Sequence, residues 1–178
     1  DYFHRFSEFS KWLSIVKTKT TLINSYDQII WNLDKHYLQE LSNKGINIPS
    51  SYFIKKNSSE SILKMMTKNN WEKVVLKPTI SGAARHTFKI DSSNVADYEQ
   101  QFAELIKHED FMLQEFQENV LTKGEISFMV FGGKFTHAIQ KKAKEGDFRV
   151  QDDFGGSVHS YSANDKEISF CEKVVAAL

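Results

Sequence analysis

The residues best suited to chemistry lie where an apolar run, Val74–Leu76, ends in Lys77 and opens into a loop of small residues. The β-branched run predicts a buried strand, and Pro78 predicts its end because proline has no N–H for the ladder. Ser81–Ala84 has short side chains, so its backbone N–H groups can approach anionic oxygens. With the charges of Lys77 and Arg85, this stretch predicts a phosphate-binding site. The alternative is an ordinary strand followed by a loop.

Length and composition bound the class of protein. With 178 residues, 40% of them hydrophobic, the chain can bury one core or two small lobes that share a cleft. The 23 basic and 23 acidic residues cancel, which argues against nucleic acid and anionic membranes as partners. No apolar run approaches the roughly 18 residues of a membrane span, and no segment resembles a signal peptide. The chain is therefore predicted to be cytoplasmic, with its oligomeric state left open.

Cysteine and histidine give no sign of a metal. Cys171 is the single cysteine, which excludes an intramolecular disulfide, and it falls on the apolar side of a predicted helix. We interpret it as a buried structural thiol. The six histidines show no zinc-type spacing with one another or with this cysteine. No structural metal is predicted.

Hydrophobic periodicity predicts the elements that must position the chemical residues. Helices are predicted over Tyr2–Leu13, from an Asn32 cap to Gly45, from a Ser58 or Ser59 cap past Met66, over Val95–Ile106, and after capping-box spacing at Ser162–Asp165. Strands are predicted at residues 51–55, 74–77, 87–90 and 111–115, with a hairpin at 125–142 that turns at Gly132 and Gly133. This mixture of helices and mainly hairpin-connected strands predicts an α+β fold.

These pieces, in this order, resemble an ATP-grasp ligase domain over nearly everything from about Trp31 to Leu178. Trp31–Lys35 looks like the opening of the branch that includes the D-cycloserine-biosynthesis cyclo-ligase and the RimK-like and glutathione-synthetase-like enzymes. Val75–Pro78 with Ser81–Arg85 looks like the phosphate loop of that branch. The resemblance implies two α+β lobes enclosing ATP. It also implies that a small carboxylate is activated as an acyl phosphate for attack by an amine or a thiol.

The resemblance assigns roles to single residues. Lys35 and Lys77 match the two lysines that contact the nucleotide phosphates, although by position alone Lys35 could be a solvated lysine in the first turn of a helix. Glu125 matches the carboxylate that accepts hydrogen bonds from the ribose. The phosphate loop would comprise Ser81, Gly82, Ala83, Ala84 and Arg85, and the hinge that edges the adenine would comprise Gln114, Glu115, Phe116 and Gln117.

A catalytic role is implied for Arg149. The run Asp147–Arg149, followed by Gly155 and Gly156, resembles the Asp-Phe-Arg and Gly-Gly arrangement of the same enzymes. Arg149 would lie near the transferring phosphoryl group or the substrate carboxylate. A planar guanidinium can bind two oxygens there at once.

The resemblance breaks at the metal site and at the ends of the chain. In this family, magnesium is held by an acid on one late strand and a Glu-x-Asn pair on the next, which would lie beyond Leu178. We therefore expect residues 1–20 to be a remnant of an N-terminal domain, 21–110 to be lobe 1 and 111–178 to be an incomplete lobe 2. The expected function is that of an ATP-dependent ligase domain, with the chain as printed inactive for lack of its magnesium ligands. The alternative is a non-catalytic nucleotide-binding or interaction module.

Overall fold

The structure, a computed structural model, describes residues 2–178. Over these residues the α-helices are α1 Phe6–Val16, α2 Tyr26–Leu33, α3 Tyr37–Asn43, α4 Ile62–Asn69, α5 Val95–Leu105, α6 Asn119–Thr122 and α7 Asp165–Ala176. The strands are β1 Ser51–Ile54, β2 Lys73–Pro78, β3 Phe88–Asp91, β4 Phe111–Glu115, β5 Glu125–Phe131, β6 Lys134–Lys142 and β7 Ser157–Tyr161, and a short 3₁₀ helix covers Asp152–Phe154. The fold is α+β, as predicted.

The chain divides into two compact units. The first unit runs up to Glu40 and includes Ile48–Phe116, and the second unit combines Leu41–Asn47 with Gln117–Leu178. Each unit contains one antiparallel sheet, in the order β1-β4-β2-β3 in the first and β5-β6-β7 in the second. None of the helices formed by residues 2–178 has the length and apolarity that a membrane crossing requires.

The core of the first unit lies on one face of its sheet, against α4 and α5. Val74 and Leu76 of β2 are fully buried in it, because alternate residues of a strand point to the same face. Each such side chain contributes roughly 1.5 to 3 kcal/mol by leaving water. The same alternation places Val75 and Lys77 on the opposite face, which we call the open face. The core also contains Ile54, Ile62, Met65, Met66, Ile90, Val95, Phe102, Ile106, Phe111 and Leu113.

The second unit packs its sheet against α7. Gly132 and Gly133 join β5 to β6 with φ of 57° and 79°, which fits a two-residue hairpin turn with left-handed residues and confirms the predicted hairpin. The backbone N–H of Phe135 donates to Glu172 of α7 at 3.1 Å. Cys171 is buried and free, as the sequence predicts.

Two predicted helix starts and the predicted position of one capping box are wrong. Asn32 lies inside α2, which is capped by Ser25, whose Oγ accepts from the N–H of Gln28. Ser61, not Ser58 or Ser59, caps α4. The capping box of α7 pairs Asn164 with Glu167 and so lies two residues later than predicted. In all three cases several Ser or Asn side chains stood near the start, and local spacing alone did not select among them.

Other boundaries also shift. The first helix spans Phe6–Val16 and not Tyr2–Leu13, and β3 begins at Phe88 and not at Thr87. β2 includes Pro78, although the sequence predicts that the strand stops before it. Proline fits as the last residue because β3 pairs only with Lys73–Leu76, so β2 has no ladder on that side at Pro78.

Candidate functional site

Lys35 lies in the short connection between α2 and α3, and is not in the first turn of a helix. Its backbone N–H donates to the carbonyl of Thr79 at 2.9 Å. Its Nζ donates to the carbonyls of Ser81 at 3.0 Å and Thr79 at 3.3 Å. Burial, followed by the positive charge of Lys77, lowers the pKa of Lys35 to about 8. The fold therefore holds a half-buried ammonium with which no carboxylate of residues 2–178 forms an ion pair.

Lys77 is held by a neutral side chain. Its Nζ donates to Gln114 Oε1 at 3.1 Å, and Gln114 Nε2 donates to Ser51 Oγ at 2.8 Å. Because Lys77 lowers the pKa of Lys35, the two ammonium groups lie close enough to repel each other. Two such cations on one side of the first unit are suited to an anion of several charges.

The small-residue loop takes an unusual backbone path. Ala83 and Ala84 have φ of 48° and 55°, in the left-handed region that side-chain-bearing residues rarely adopt. The carbonyl of Gly82 accepts from the N–H of Arg85 at 3.0 Å. The ring of Phe3 lies against Gly82, where an added Cβ would come within 2.7 Å of Cε1. The loop is therefore strained at Ala83 and Ala84, and a side chain at Gly82 would displace the ring of Phe3.

Arg85 forms an ion pair with Glu109 at the end of the loop. Its guanidinium donates to both carboxylate oxygens of Glu109, with Nη1 at 2.8 Å from Oε1, and Nη2 also donates to the carbonyl of Ile80 at 3.0 Å. The Arg85 side chain is 17% exposed. A bidentate ion pair with this little exposure fixes the base of the loop. The sequence indicated a charge at Arg85 but gave no sign of its partner, because Glu109 lies 24 positions away.

A cavity of about 350 Å³ lies beside this loop in the first unit. Thr79, whose carbonyl accepts from Lys35, forms part of its wall. The remaining lining comes from Phe3, Phe6, Asp34, Lys56, Ile80, His108, Glu109 and Asp110. Its volume suits a small molecule with both charged and apolar parts.

The predicted hinge begins at the end of β4. The N–H of Glu115 donates to the carbonyl of Ser50, and the N–H of Phe116 donates to the carbonyl of Lys73, both at 2.9 Å. Phe116 is buried, and the ammonium of Lys89 lies 4.5 Å from the centre of its ring. These two N–H groups are thus used within the first unit, and Gln114 directs its side chain to Lys77. Gln117 belongs to the second unit.

Glu125 opens β5 in the second unit and accepts from Lys141 Nζ at 3.3 Å. Its side chain is 49% exposed, so the pair is weak and can exchange partners. Gly124 precedes it with φ of 74°, and a Cβ there would lie 2.3 Å from the carbonyl oxygen of Lys141. Glycine is therefore required for the chain to enter β5 at this point.

Arg149 is bound to its neighbour in the predicted Asp-Phe-Arg run. Its Nη2 and Nε donate to Asp147, at 2.7 Å from Oδ2 and 3.0 Å from Oδ1. The hydrogen bonds from Arg149 lower the pKa of Asp147 well below its usual range. The guanidinium also lies 3.8 Å from the centre of the Phe154 ring. The second unit thus holds Arg149 in one orientation through a carboxylate and an aromatic face.

A protein-family model, described as the prokaryotic glutathione synthetase ATP-grasp domain, matches residues 45–178. The chain belongs to this ATP-grasp family. Among curated proteins, none matches the chain significantly. The family assignment confirms the resemblance found in the sequence. It also supports ATP-dependent ligation in general, which is the activity of ATP-grasp ligases.

Solved structures share the fold. D-cycloserine synthetase DcsG superposes with a TM-score of 0.86 at 23% identity, over 99% of this chain and 61% of that one. A RimK domain ATP-grasp protein from Sphaerobacter thermophilus DSM 20745 superposes with a TM-score of 0.70 at 12% identity, over 96% of this chain and 60% of that one. The ATP-grasp ligase PsnB, in a complex with a precursor variant, Mg and ADP, superposes with a TM-score of 0.63 at 18% identity, over 98% of this chain and 51% of that one. At these identities the likeness shows the ATP-grasp fold, and the chain spans about three fifths or less of each protein.

Proposed function

We propose that this chain is the nucleotide-binding part of an ATP-dependent ligase that activates a small carboxylate for attack by an amine or a thiol. The observation that carries the proposal is the burial of the Lys35 ammonium beside the positive charge of Lys77, which together lower the pKa of Lys35 to about 8. Such an arrangement costs the folded protein stability, and a bound polyanion would recover it. Membership of the ATP-grasp family supports a nucleotide triphosphate as that anion.

In the proposed reaction, Lys35 and Lys77 bind the phosphates and offset the charge on the transferring group. A carboxylate oxygen attacks the γ-phosphorus, the bond to the bridging oxygen breaks, and ADP leaves. The nitrogen or sulfur of the acceptor then attacks the acyl carbon and expels inorganic phosphate, while the acceptor loses a proton. Holding the reactants in line is the main contribution that these two side chains make.

The remaining assignments are proposals of the same kind. The loop Ser81–Arg85 would cover the phosphates, and the segment Gln114–Gln117 would edge the adenine. Glu125 would accept from the ribose hydroxyls after releasing Lys141. Arg149 would grip the phosphoryl group or the carboxylate, which requires it to turn from Asp147 or to bind with its remaining N–H groups.

Magnesium is proposed as the cofactor that accompanies ATP. Among residues 2–178, no group of three or more His, Cys, Asp or Glu side chains could hold a metal ion. Since ATP is the proposed reagent, we propose a cytoplasmic location.

Nucleotide binding and phosphate release test the proposal separately. Titration of the 178-residue chain with ATP by calorimetry should show saturable binding that Lys77→Ala weakens at least tenfold. Lys64→Ala, an exposed lysine on α4, is the matched control and should leave the affinity unchanged. Absence of ATP binding by the unaltered chain would refute the nucleotide site. The 178-residue chain by itself should release no phosphate when amino acids, dipeptides and thiols are offered with magnesium, because residues 2–178 contain no group of side chains that could hold the metal. Release with the same substrates by a longer protein that contains this chain would support the ligase, and binding without release by that protein would favour the non-catalytic module.

A further inference from the structure

Three polar side chains on neighbouring strands of the first unit form a continuous chain of hydrogen bonds. Ser51 on β1 lies opposite Gln114 on β4, and Gln114 in turn lies opposite Val75 on β2, two residues before Lys77. Lys77 Nζ donates to Gln114 Oε1 at 3.1 Å, and Gln114 Nε2 donates to Ser51 Oγ at 2.8 Å. Ser51 Oγ donates in turn to the carbonyl of Pro49 at 2.8 Å. We call this chain of four groups the serine relay.

The chemistry of the groups fixes the direction of the relay. An ammonium can only donate, so Gln114 must turn its amide oxygen toward Lys77. The amide nitrogen, which can only donate, is then directed at Ser51, and the serine hydroxyl accepts from it. The hydroxyl hydrogen is left for the carbonyl of Pro49, which can only accept. Each group thus has one compatible orientation, and each bond strengthens the next.

We propose that Ser51 is a positioning residue of the phosphate site: through Gln114 it holds the ammonium of Lys77 at a set point on the open face. The inference rests on the proposed function, because it assumes that Lys77 meets phosphate. A lysine side chain that is mobile in the free protein loses rotamer entropy when a ligand immobilises it. The relay removes part of that loss before the ligand arrives, which is preorganisation.

The neutrality of the relay matters as much as its geometry. A carboxylate at position 114 would also accept from Lys77, but it would cancel the charge that attracts phosphate. The amide of Gln114 accepts from the ammonium and brings no negative charge of its own. Positioning by Ser51 therefore raises affinity for the phosphates without reducing the positive potential of the site.

The test measures two quantities in the same 178-residue chain: the reactivity of the Lys77 ammonium and the affinity for ATP. Acetylation of lysines by a water-soluble ester, followed by mass spectrometry, gives the labelling rate of Lys77 relative to exposed Lys64. Calorimetry gives the affinities for ATP and for adenosine, which lacks phosphate. The variants are Ser51→Ala, which removes the hydroxyl, and Ser51→Thr, which restores it. Ser50→Ala, an exposed neighbouring serine, is the matched control.

Loss of the relay should release Lys77. In Ser51→Ala we expect faster labelling of Lys77 and an ATP affinity lower by about three- to tenfold, the range of one lost hydrogen bond. Adenosine affinity should not change, Ser51→Thr should restore both quantities, and Ser50→Ala should match the unaltered chain. A merely structural role of Ser51 would weaken ATP and adenosine alike.

The two readouts separate the inference from the proposed function. If Ser51→Ala leaves both the labelling rate of Lys77 and the ATP affinity unchanged while the unaltered chain binds ATP, the inference is wrong and the proposed function stands. If labelling accelerates but the unaltered chain binds no ATP, the relay holds Lys77 for some other reason, and the proposal of a phosphate-positioning residue fails together with the proposed function. Faster labelling with a selective loss of ATP affinity supports both.

Discussion

ATP binding should be accompanied by uptake of a proton by the protein at mildly alkaline pH, because the fold lowers the pKa of Lys35 and leaves part of it neutral. Burial and the neighbouring charge of Lys77 lower the pKa of Lys35 from 10.5 to about 8. A polyanion beside this ammonium favours its charged form and should return the pKa toward its usual value. Binding is therefore coupled to protonation of Lys35.

The size of the effect follows from that pKa. At pH 8 about half of the Lys35 side chains in the free protein are neutral. The protein should therefore take up about half a proton for each ATP that binds. Above pH 8 the affinity should fall by up to about tenfold per pH unit until the pKa of the bound state is reached. Phosphate groups, with a second pKa near 6, are already ionised in this range and do not contribute.

The same pKa has a consequence for stability, with a definite sign. In the folded protein the charged form of Lys35 is disfavoured by about 3 kcal/mol relative to an unfolded chain. That cost is fully present below pH 8, where Lys35 is charged in both states. It is relieved as the pH rises from about 8 toward 10.5, because the folded state then binds fewer protons than the unfolded state. Lys35 alone thus makes the free energy of unfolding increase over this range.

Calorimetry in two buffers that differ in ionisation enthalpy measures the proton uptake directly. Titrations with ATP at pH 8 should give different apparent enthalpies in the two buffers, with a slope of about half a proton. Lys35→Arg, whose guanidinium is always charged, is the control and should abolish the slope while retaining some affinity. Equal enthalpies in both buffers for the unaltered chain, together with normal ATP binding, would show that Lys35 does not meet the nucleotide.

Three further predictions concern single side chains. Lys77→Ala should leave the unfolding temperature within a few degrees of the unaltered chain, because Lys77 lies on the open face, and collapse of the fold on circular dichroism would contradict this placement. Glu109→Gln should cost about 1.5 to 3 kcal/mol in denaturant unfolding, because the largely covered guanidinium of Arg85 loses its charged acceptor; an unchanged midpoint would mean that the pair is not formed. Gly124→Ala should lower the unfolding temperature far more than Gly146→Ala, since both glycines have positive φ but only Gly124 has a backbone oxygen, at 2.3 Å, where the Cβ must go. Equal shifts in the two variants would refute the close approach.

Much of the fold was predictable because it is written in local patterns. The run Phe111–Glu115 appears as a strand with the bounds predicted for it, and the hairpin at Gly132 and Gly133 follows from two residues that tolerate positive φ. The order of the motifs around Lys77 also resembled the ATP-grasp family, which the family model confirms. Helix starts were predicted less well, since the correct caps of α2 and α4 compete with nearby residues of the same type.

The candidate site was likewise predictable in its residue types but not in the contacts between them. The sequence by itself determined which residues carry charge and where small residues follow a strand, so Lys35, Lys77 and Arg85 stood out by type and order. Only the tertiary structure decided that Arg85 pairs with Glu109 and that Ser51 reaches Lys77 through Gln114. These partners are 24 to 63 positions apart in the chain, and sheet register and burial, not local propensity, bring them within hydrogen-bonding distance. The lowered pKa of Lys35 likewise arises from burial, which no local pattern specifies.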